Sequence, residues 1–318
     1  MKQLHVFLTA ASVCGCLLVF QGCKKEDNAA DVLPSQGSNT SFTKASDLLK
    51  SWAPSVQTFT VDATAGGTVM GTKGTTLIIK PGSVKSLSGV VSGNVTVSLT
   101  EIRTKKDMMS LGIFTGASDG NVLESGGMFK VSIRKGSEQL FIDPAKPMTV
   151  KVPDPVGNFD QQMLLFAGND TTATDSFKWV RQNGNKVMPD SAKPEYYVFE
   201  WWNMGYCNVD KYVDFNNCSN NFTANIPSSY EASKTSIMIV FSDYHAEAST
   251  YYDNTSSSFK TPYCLPLGKA IKVLCVTIKD KKLYYSISNT TVSAATSVTV
   301  PEGTLISESD LAALIAGL

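Results

Sequence analysis

The sequence predicts an all-β protein of two antiparallel β-sandwich-like domains with short N-terminal and C-terminal helices. Three observations carry that expectation. From Val56 to Val152, β-branched residues alternate with polar ones in short runs ("TFTVDA", "GNVTVSLTEI", "PMTVKVP") separated by Gly, Asn, Asp and Pro, the spacing of a sandwich or barrel. A second series of such runs follows the turn-rich "DPVGN" of Asp154–Asn158, at 163–167, 177–181, 196–202, 236–241, 271–279 and 282–287. Helical spacing is confined to a stretch near each end. With 318 residues, 42% hydrophobic and 18% charged, there is enough apolar material for packed cores, and two domains are the natural division.

The elements follow in order. Lys2 precedes an apolar stretch from Val6 to Phe20, about 15 residues where roughly 20 are needed to cross a bilayer, so residues 1–22 are expected to be a removable signal peptide. Gly22 leaves room for a peptidase, and Cys23 supplies a thiol that can carry a lipid. Residues 23–54 then read as a tether with a short helix. Lys24–Thr40 is too polar to order itself, whereas Leu48, Leu49 and Trp52 share a helical face that Pro54 ends. Residues 55–153 form the first β domain. In "NVTVSLTEI", Val95, Val97, Leu99 and the more distant Ile102 are expected to be buried, with Thr96, Ser98 and Thr100 on the wet face. The Gly66-Gly67 and Gly126-Gly127 pairs mark positions where a side chain would not fit. Residues 154–318 form the second β region. It closes with "SESDLAALIAGL", where Ser307 and Asp310 suit a helix start, and this helix is expected to pack on the second sandwich.

Several motifs resemble known families. Val19-Phe20-Gln21-Gly22-Cys23 resembles the lipobox of bacterial lipoproteins, which implies lipidation at Cys23 and attachment to a membrane. "GGTVMGTKGTTLIIKPGSV", "GNVTVSLTEIRTKKDMM" and "LESGGMFKVSI" resemble the β-rich N-terminal part of Bacteroidota cell-envelope lipoproteins, itself similar to ZU5 domains, in which a Gly-Gly start precedes a strand and a turn like Ile79-Lys80-Pro81-Gly82-Ser83. This likeness covers Phe59 to Pro153. The self-cleaving His-Phe-Ser step of some ZU5-containing proteins does not occur here. "WWNMGYCNVDKY" resembles a stretch of the same lipoproteins at Gly205, Asn208 and Asp210, but Val209 stands where they have cysteine. "SFKTPYCLPLGKAIKVLCV" is similar to a turn of transthyretin-like and carboxypeptidase-regulatory-like sandwiches. The resemblance implies an outer-membrane, lipid-anchored protein on the periplasmic face or the cell surface. Lys24 is not the aspartate that retains enteric lipoproteins in the inner membrane.

The chemistry is sparse. Lys and Arg total 28 against 28 Asp and Glu, so no basic surface invites nucleic acid. After Cys14, Cys16 and Cys23, four cysteines remain: Cys207, Cys218, Cys264 and Cys275. Zinc is not expected, because His245 is the one histidine after the leader and no C-x-x-C pair exists. An even number in an exported chain suggests disulfides. The expected pairs are Cys207–Cys218 and Cys264–Cys275, each enclosing ten residues. Cross-pairing between the two segments is the rival, and Cys275 in its apolar strand could be a free core thiol.

Asp243, His245 and Glu247 would share one face of a strand, either as a weak divalent-metal cluster or, on the plainer reading, as its wet end. The aromatic run "YYVFEWWNMGY" places Tyr197, Phe199 and Trp201 on one face and Tyr196, Glu200 and Trp202 on the other. One set should fill the core. The second, Tyr196, Glu200 and Trp202, is the candidate ligand-binding set, with cover by a loop or interface as the plainer reading. No nucleophile with a base and no carboxylate pair stands out. The expected function is therefore non-enzymatic, without cofactor or metal: binding or scaffolding at the envelope, the partner being a glycan or an envelope protein. A glycan-binding accessory protein and an envelope hydrolase are the alternatives.

Overall fold

In the computed structural model the described residues are 39–155, 157–168, 177–214 and 217–318. The fold is all-β: strands far outweigh helix, in several antiparallel sheets. Cys23 lies outside the described residues, as does the expected signal peptide.

The first core lies between two sheets. In the larger one, Leu123–Lys135 is central, pairing with Asn94–Ile102, Gly205–Tyr212 and Glu138–Ile142. Asn94–Ile102 also pairs along its other edge with Gln57–Asp62. The facing sheet runs Met188–Pro189, Tyr196–Trp201, Met148–Pro153, Thr76–Ile79, Gly67–Met70. Period-two alternation decides which residues enter the core. Val95, Val97 and Leu99 are buried there, as are Phe129, Val131 and Ile133 opposite them and Tyr197, Phe199 and Trp201 from the facing sheet. Pairing runs across Asp154–Asn158, so the core begun by residues 57–153 is completed by strands between Leu164 and Tyr212. Ile102 points the other way, into a cluster with Met108, Phe166 and Trp179.

The second core is enclosed by the sheet Glu247–Ser249, Thr235–Phe241, Ala270–Lys279, Lys282–Thr291, Thr304–Leu305 and by a smaller sheet. In the smaller sheet Phe222–Asn225 pairs in parallel with Thr296–Thr299. The five-stranded sheet is buried on both faces, which explains runs such as "SIMIVF". Ile237, Ile239 and Phe241 enter the second core, while Met238 and Val240 face a separate apolar layer. Helix α1, Ala45–Lys50, covers that layer with Leu48 and Leu49.

The described residues hold two further α-helices. α2, Lys105–Leu111, follows the strand that ends at Ile102 and had no counterpart in the sequence reading. The Thr104 hydroxyl accepts from the Asp107 amide at 3.1 Å and the Asp107 carboxylate accepts from the Thr104 amide at 3.0 Å, a capping box. Gly112, with φ of 65°, closes the helix. α3, Glu308–Ala316, starts at Ser307, whose hydroxyl accepts from the Asp310 amide, and lays Leu311 and Ile315 on the five-stranded sheet as expected.

The cysteine pairing differs from the expected one. Cys218 is bonded to Cys264, with Cα atoms 5.3 Å apart, and Cys207 and Cys275 are buried free thiols. The reason is topological: Cys218–Ser219 pairs with Leu265–Pro266, which sets the two residues side by side. Cys207 faces the first core and Cys275 the second.

The bridge spans 46 residues of sequence, for which the chain-entropy model gives roughly 4 kcal/mol. Non-reducing peptide mapping is expected to recover one linked fragment joining Cys218 to Cys264. Cys207 and Cys275 are expected to resist alkylation until denaturant is added. A fragment joining Cys207 to Cys218 would contradict the pairing.

Candidate functional site

A cleft of about 580 Å³ opens where the first core meets the connection after Pro153. The register opposes Lys211 to Glu124 across neighbouring strands. The Lys211 ammonium lies 3.1 Å from the Glu124 carboxylate and 2.8 Å from that of Asp160. Asp160 also accepts the Gln162 amide at 2.8 Å, which fixes its turn. Tyr197 is buried to the ring and donates its hydroxyl to Asp154, while Phe159 packs against it at 5.5 Å between ring centroids. Asp154 accepts the Asn158 amide at 3.2 Å across Gly157, whose φ of 79° suits a residue without a side chain. Glu124 and Asp160 thus converge on one ammonium, with Asp154 on the Tyr197 hydroxyl beside them.

None of the shifted groups here titrates near neutral pH. Burial pushes the Asp160 carboxyl up, but the Lys211 and Gln162 hydrogen bonds outweigh it and leave it below its ordinary range. Burial lowers the Lys211 ammonium, yet its two carboxylate partners hold it above its ordinary value. Burial and the hydrogen bond to Asp154 push the Tyr197 phenol far up. An ionised carboxylate, an ammonium and a neutral phenol recognise charge and hydroxyl groups. They are poorly matched to proton transfer, which wants a group near the working pH.

Beneath the cleft runs a buried polar row. Ser125 donates to Asn208 at 2.9 Å and Asn208 donates to Asp210. Burial, the largest influence on it, holds the Asp210 carboxyl well above its ordinary value. The His245 ring nitrogen Nδ1 meets the Ser125 carbonyl at 2.9 Å, and the Ser125 amide donates to the His245 carbonyl at 2.9 Å. Burial lowers the His245 pKa, which leaves the ring neutral with Nδ1 as the donor to that carbonyl. Arg103, lowered to about 10 by burial, donates to the Pro153 carbonyl on the other side of Gly127.

The residues singled out in the sequence fare differently. Tyr197, Phe199 and Trp201 fill the core, and Tyr196, Glu200 and Trp202 are half-buried. Glu200 is engaged by Lys80 and Thr149, both at 2.8 Å, and Trp202 packs against the edge of the first core. Asp243 and His245 lie in a bend rather than on a strand, so the three residues do not share a face: Asp243 is exposed and Glu247 wholly buried. No group of three or more His, Cys, Asp or Glu among the described residues could hold a metal ion. Asp154 and Asp160 were passed over because "DPVGN" reads as a hinge. The one local pattern is at Asp160, whose carboxylate accepts from the amide two residues on, at Gln162, in an Asx turn.

The chain matches no family model, and no curated protein matches it.

Glu247 gives a test of this electrostatic description. Burial raises its carboxyl well above the ordinary range, and neither oxygen has a hydrogen-bond partner among the described residues. Below the unfolded pKa, about 4.3, both states hold the proton and nothing is lost; above it the unfolded chain ionises first and stability falls as pH rises. Glu247→Gln is therefore expected to be more stable than the parent at pH 7 and close to it at pH 4. Urea unfolding at the two pH values measures this, and equal differences at both would contradict a neutral buried acid.

Proposed function

We propose that this is an exported, lipid-anchored protein of the bacterial envelope that binds or scaffolds rather than catalyses, held to the outer membrane through Cys23. The observation that carries the binding reading is the cleft, whose shifted groups are each held away from a titration near neutral pH by their neighbours. The Cys218–Cys264 bond supports export, since such bonds persist in oxidising compartments. The apolar run ending at Gly22-Cys23 and the polar stretch after it support the anchor.

Glycan binding is the second reading. It shifts from Trp202, which packs against the core, to the cleft, where half-buried Phe159 offers a ring edge beside carboxylates that accept sugar hydroxyls. Titration with envelope oligosaccharides tests it: Phe159→Ala should weaken a genuine sugar complex, and saturable hydrolysis of the same sugars, lost in Asp154→Asn, would replace binding with catalysis.

The anchor has its own test. The parent chain is expected to stay with membranes through a high-salt wash, and Cys23→Ala to leave them or remain unprocessed. Charge-based attachment is screened by salt, so a Cys23→Ala protein that survived the wash would contradict lipidation.

A further inference from the structure

A second opening of about 750 Å³ lies away from the acidic cleft, where α1 and the end of α2 approach the strand Thr235–Phe241 and the turn after Ser249. Its size falls within the range of about 300 to 1,000 Å³ typical of small-molecule sites. Half-buried Phe114 and Tyr252 give it an apolar wall, backed by Leu49, Met109, Met238 and Phe259, which are at least 95% buried. The rim is built from Ser46, Ser233 and Ser236, whose hydroxyls make no hydrogen bond among the described residues, and from Tyr251, which is 49% exposed. Lys50 is the one charged residue lining it. It is exposed and has no ion pair among the described residues, and no carboxylate lines the groove to oppose it.

We infer that this groove binds a free anionic amphiphile: a small molecule whose aliphatic or aromatic body lies against Phe114, Tyr251 and Tyr252 and whose carboxylate or phosphate meets Lys50 and the serine hydroxyls. Each half of the lining selects half of such a ligand. The aromatic wall lowers the free energy of an apolar body by removing it from water, at about 25 cal/mol per Å². The unopposed ammonium and free hydroxyls favour an anion over a cation, and a charged head group over an uncharged one. The acidic cleft has the opposite charge balance, three carboxylates to one ammonium, so the two openings should not compete for a ligand.

The test uses decanoate, with decanol as its uncharged counterpart, titrated calorimetrically into the full chain carrying Cys23→Ala. Saturable one-to-one binding of decanoate is expected, weakening as salt is raised. Lys50→Gln, at an exposed position, should weaken decanoate by about threefold to fivefold, as an exposed ion pair is worth up to about 1 kcal/mol, and leave decanol unchanged. Ser236→Trp should remove binding of both by filling the groove. Ser233→Trp, on the exposed turn, provides the same block if the first variant proves unfolded by circular dichroism. No saturable binding at millimolar decanoate, or binding untouched by both tryptophan variants, would overturn the site. Loss with tryptophan but no response to Lys50→Gln or to salt would overturn the anionic assignment.

Discussion

The structure turns on one irregularity, the bulge at Gly126-Gly127. Within Leu123–Lys135, Met128 pairs with Asn208 and Ser125 with Asp210, so two glycines stand opposite the single residue Val209. A side chain at Gly126 would meet the Tyr197 ring and the Val209 carbonyl, and one at Gly127, where φ is 130°, would overlap the Arg103 guanidinium. The backbone can therefore turn here only because both positions lack a side chain. Beyond the bulge toward Lys135, the strand delivers Phe129, Val131 and Ile133 to the first core. Before it, the strand stays paired with Gly205–Tyr212 but has lost Asn94–Ile102 along its other edge, and there it bonds elsewhere: the Leu123 amide donates to the Thr115 carbonyl at 2.7 Å and the Ser125 amide to that of His245.

That change of partners makes the two cores one structure. Thr115 donates by its amide and its hydroxyl to the Glu247 carbonyl, at 3.0 and 2.8 Å, and Val122 joins the second core while its carbonyl accepts from Val213. Cys264 donates its amide to Gly120 and is itself tied to Cys218, so the disulfide staples the loop that meets the first sandwich. Gly116 leaves room for the Tyr263 ring. The cleft depends on the same geometry, since the residue that turns with the bulge is Glu124, and its position next to Lys211 follows from the register just before the glycines. A shift of one residue would move Glu124 to the opposite face of the sheet and separate it from the ammonium.

What could be read from the sequence divides along the same line. Patterns with a local period were legible: the alternation of Val95, Val97 and Leu99, the two faces of Tyr196–Trp202, and the Ser307 cap of α3 each depend on residues a few positions apart. The capping box of α2, Thr104-x-x-Asp107, was equally local, but the helix it starts is only seven residues long and follows the strand that ends at Ile102 almost at once. Long-range features were not legible. Ten-residue spacing favours Cys207–Cys218 as a loop closure, yet pairing of Cys218–Ser219 with Leu265–Pro266 decides the bond, and no local pattern encodes that pairing. Glu124 and Lys211 are brought together by a bulge whose one mark in the sequence is a glycine pair. That pair signalled a close approach without saying to what.

The interior acids show what the junction is built to do. Glu124 and Asp160 share an ammonium at the edge of the cleft, but Asp210 and Glu247 are fully buried, with neither having a cation within bonding distance among the described residues. Burying such groups costs free energy even when they stay neutral, and apolar residues of similar size would often be more stable. Asp210 lies where that cost has a use. It accepts from Asn208, which accepts from Ser125, and the Ser125 hydroxyl also accepts from the Gly127 amide at 3.1 Å. The row thus spans the bulge from both strands and satisfies an amide that the interrupted ladder would leave bare. An apolar core at this point would tolerate Ser125 opposite either Val209 or Asp210. The hydrogen-bonded row tolerates one register, so the acid gives up stability to hold the alignment that both the clasp at His245 and the cleft require.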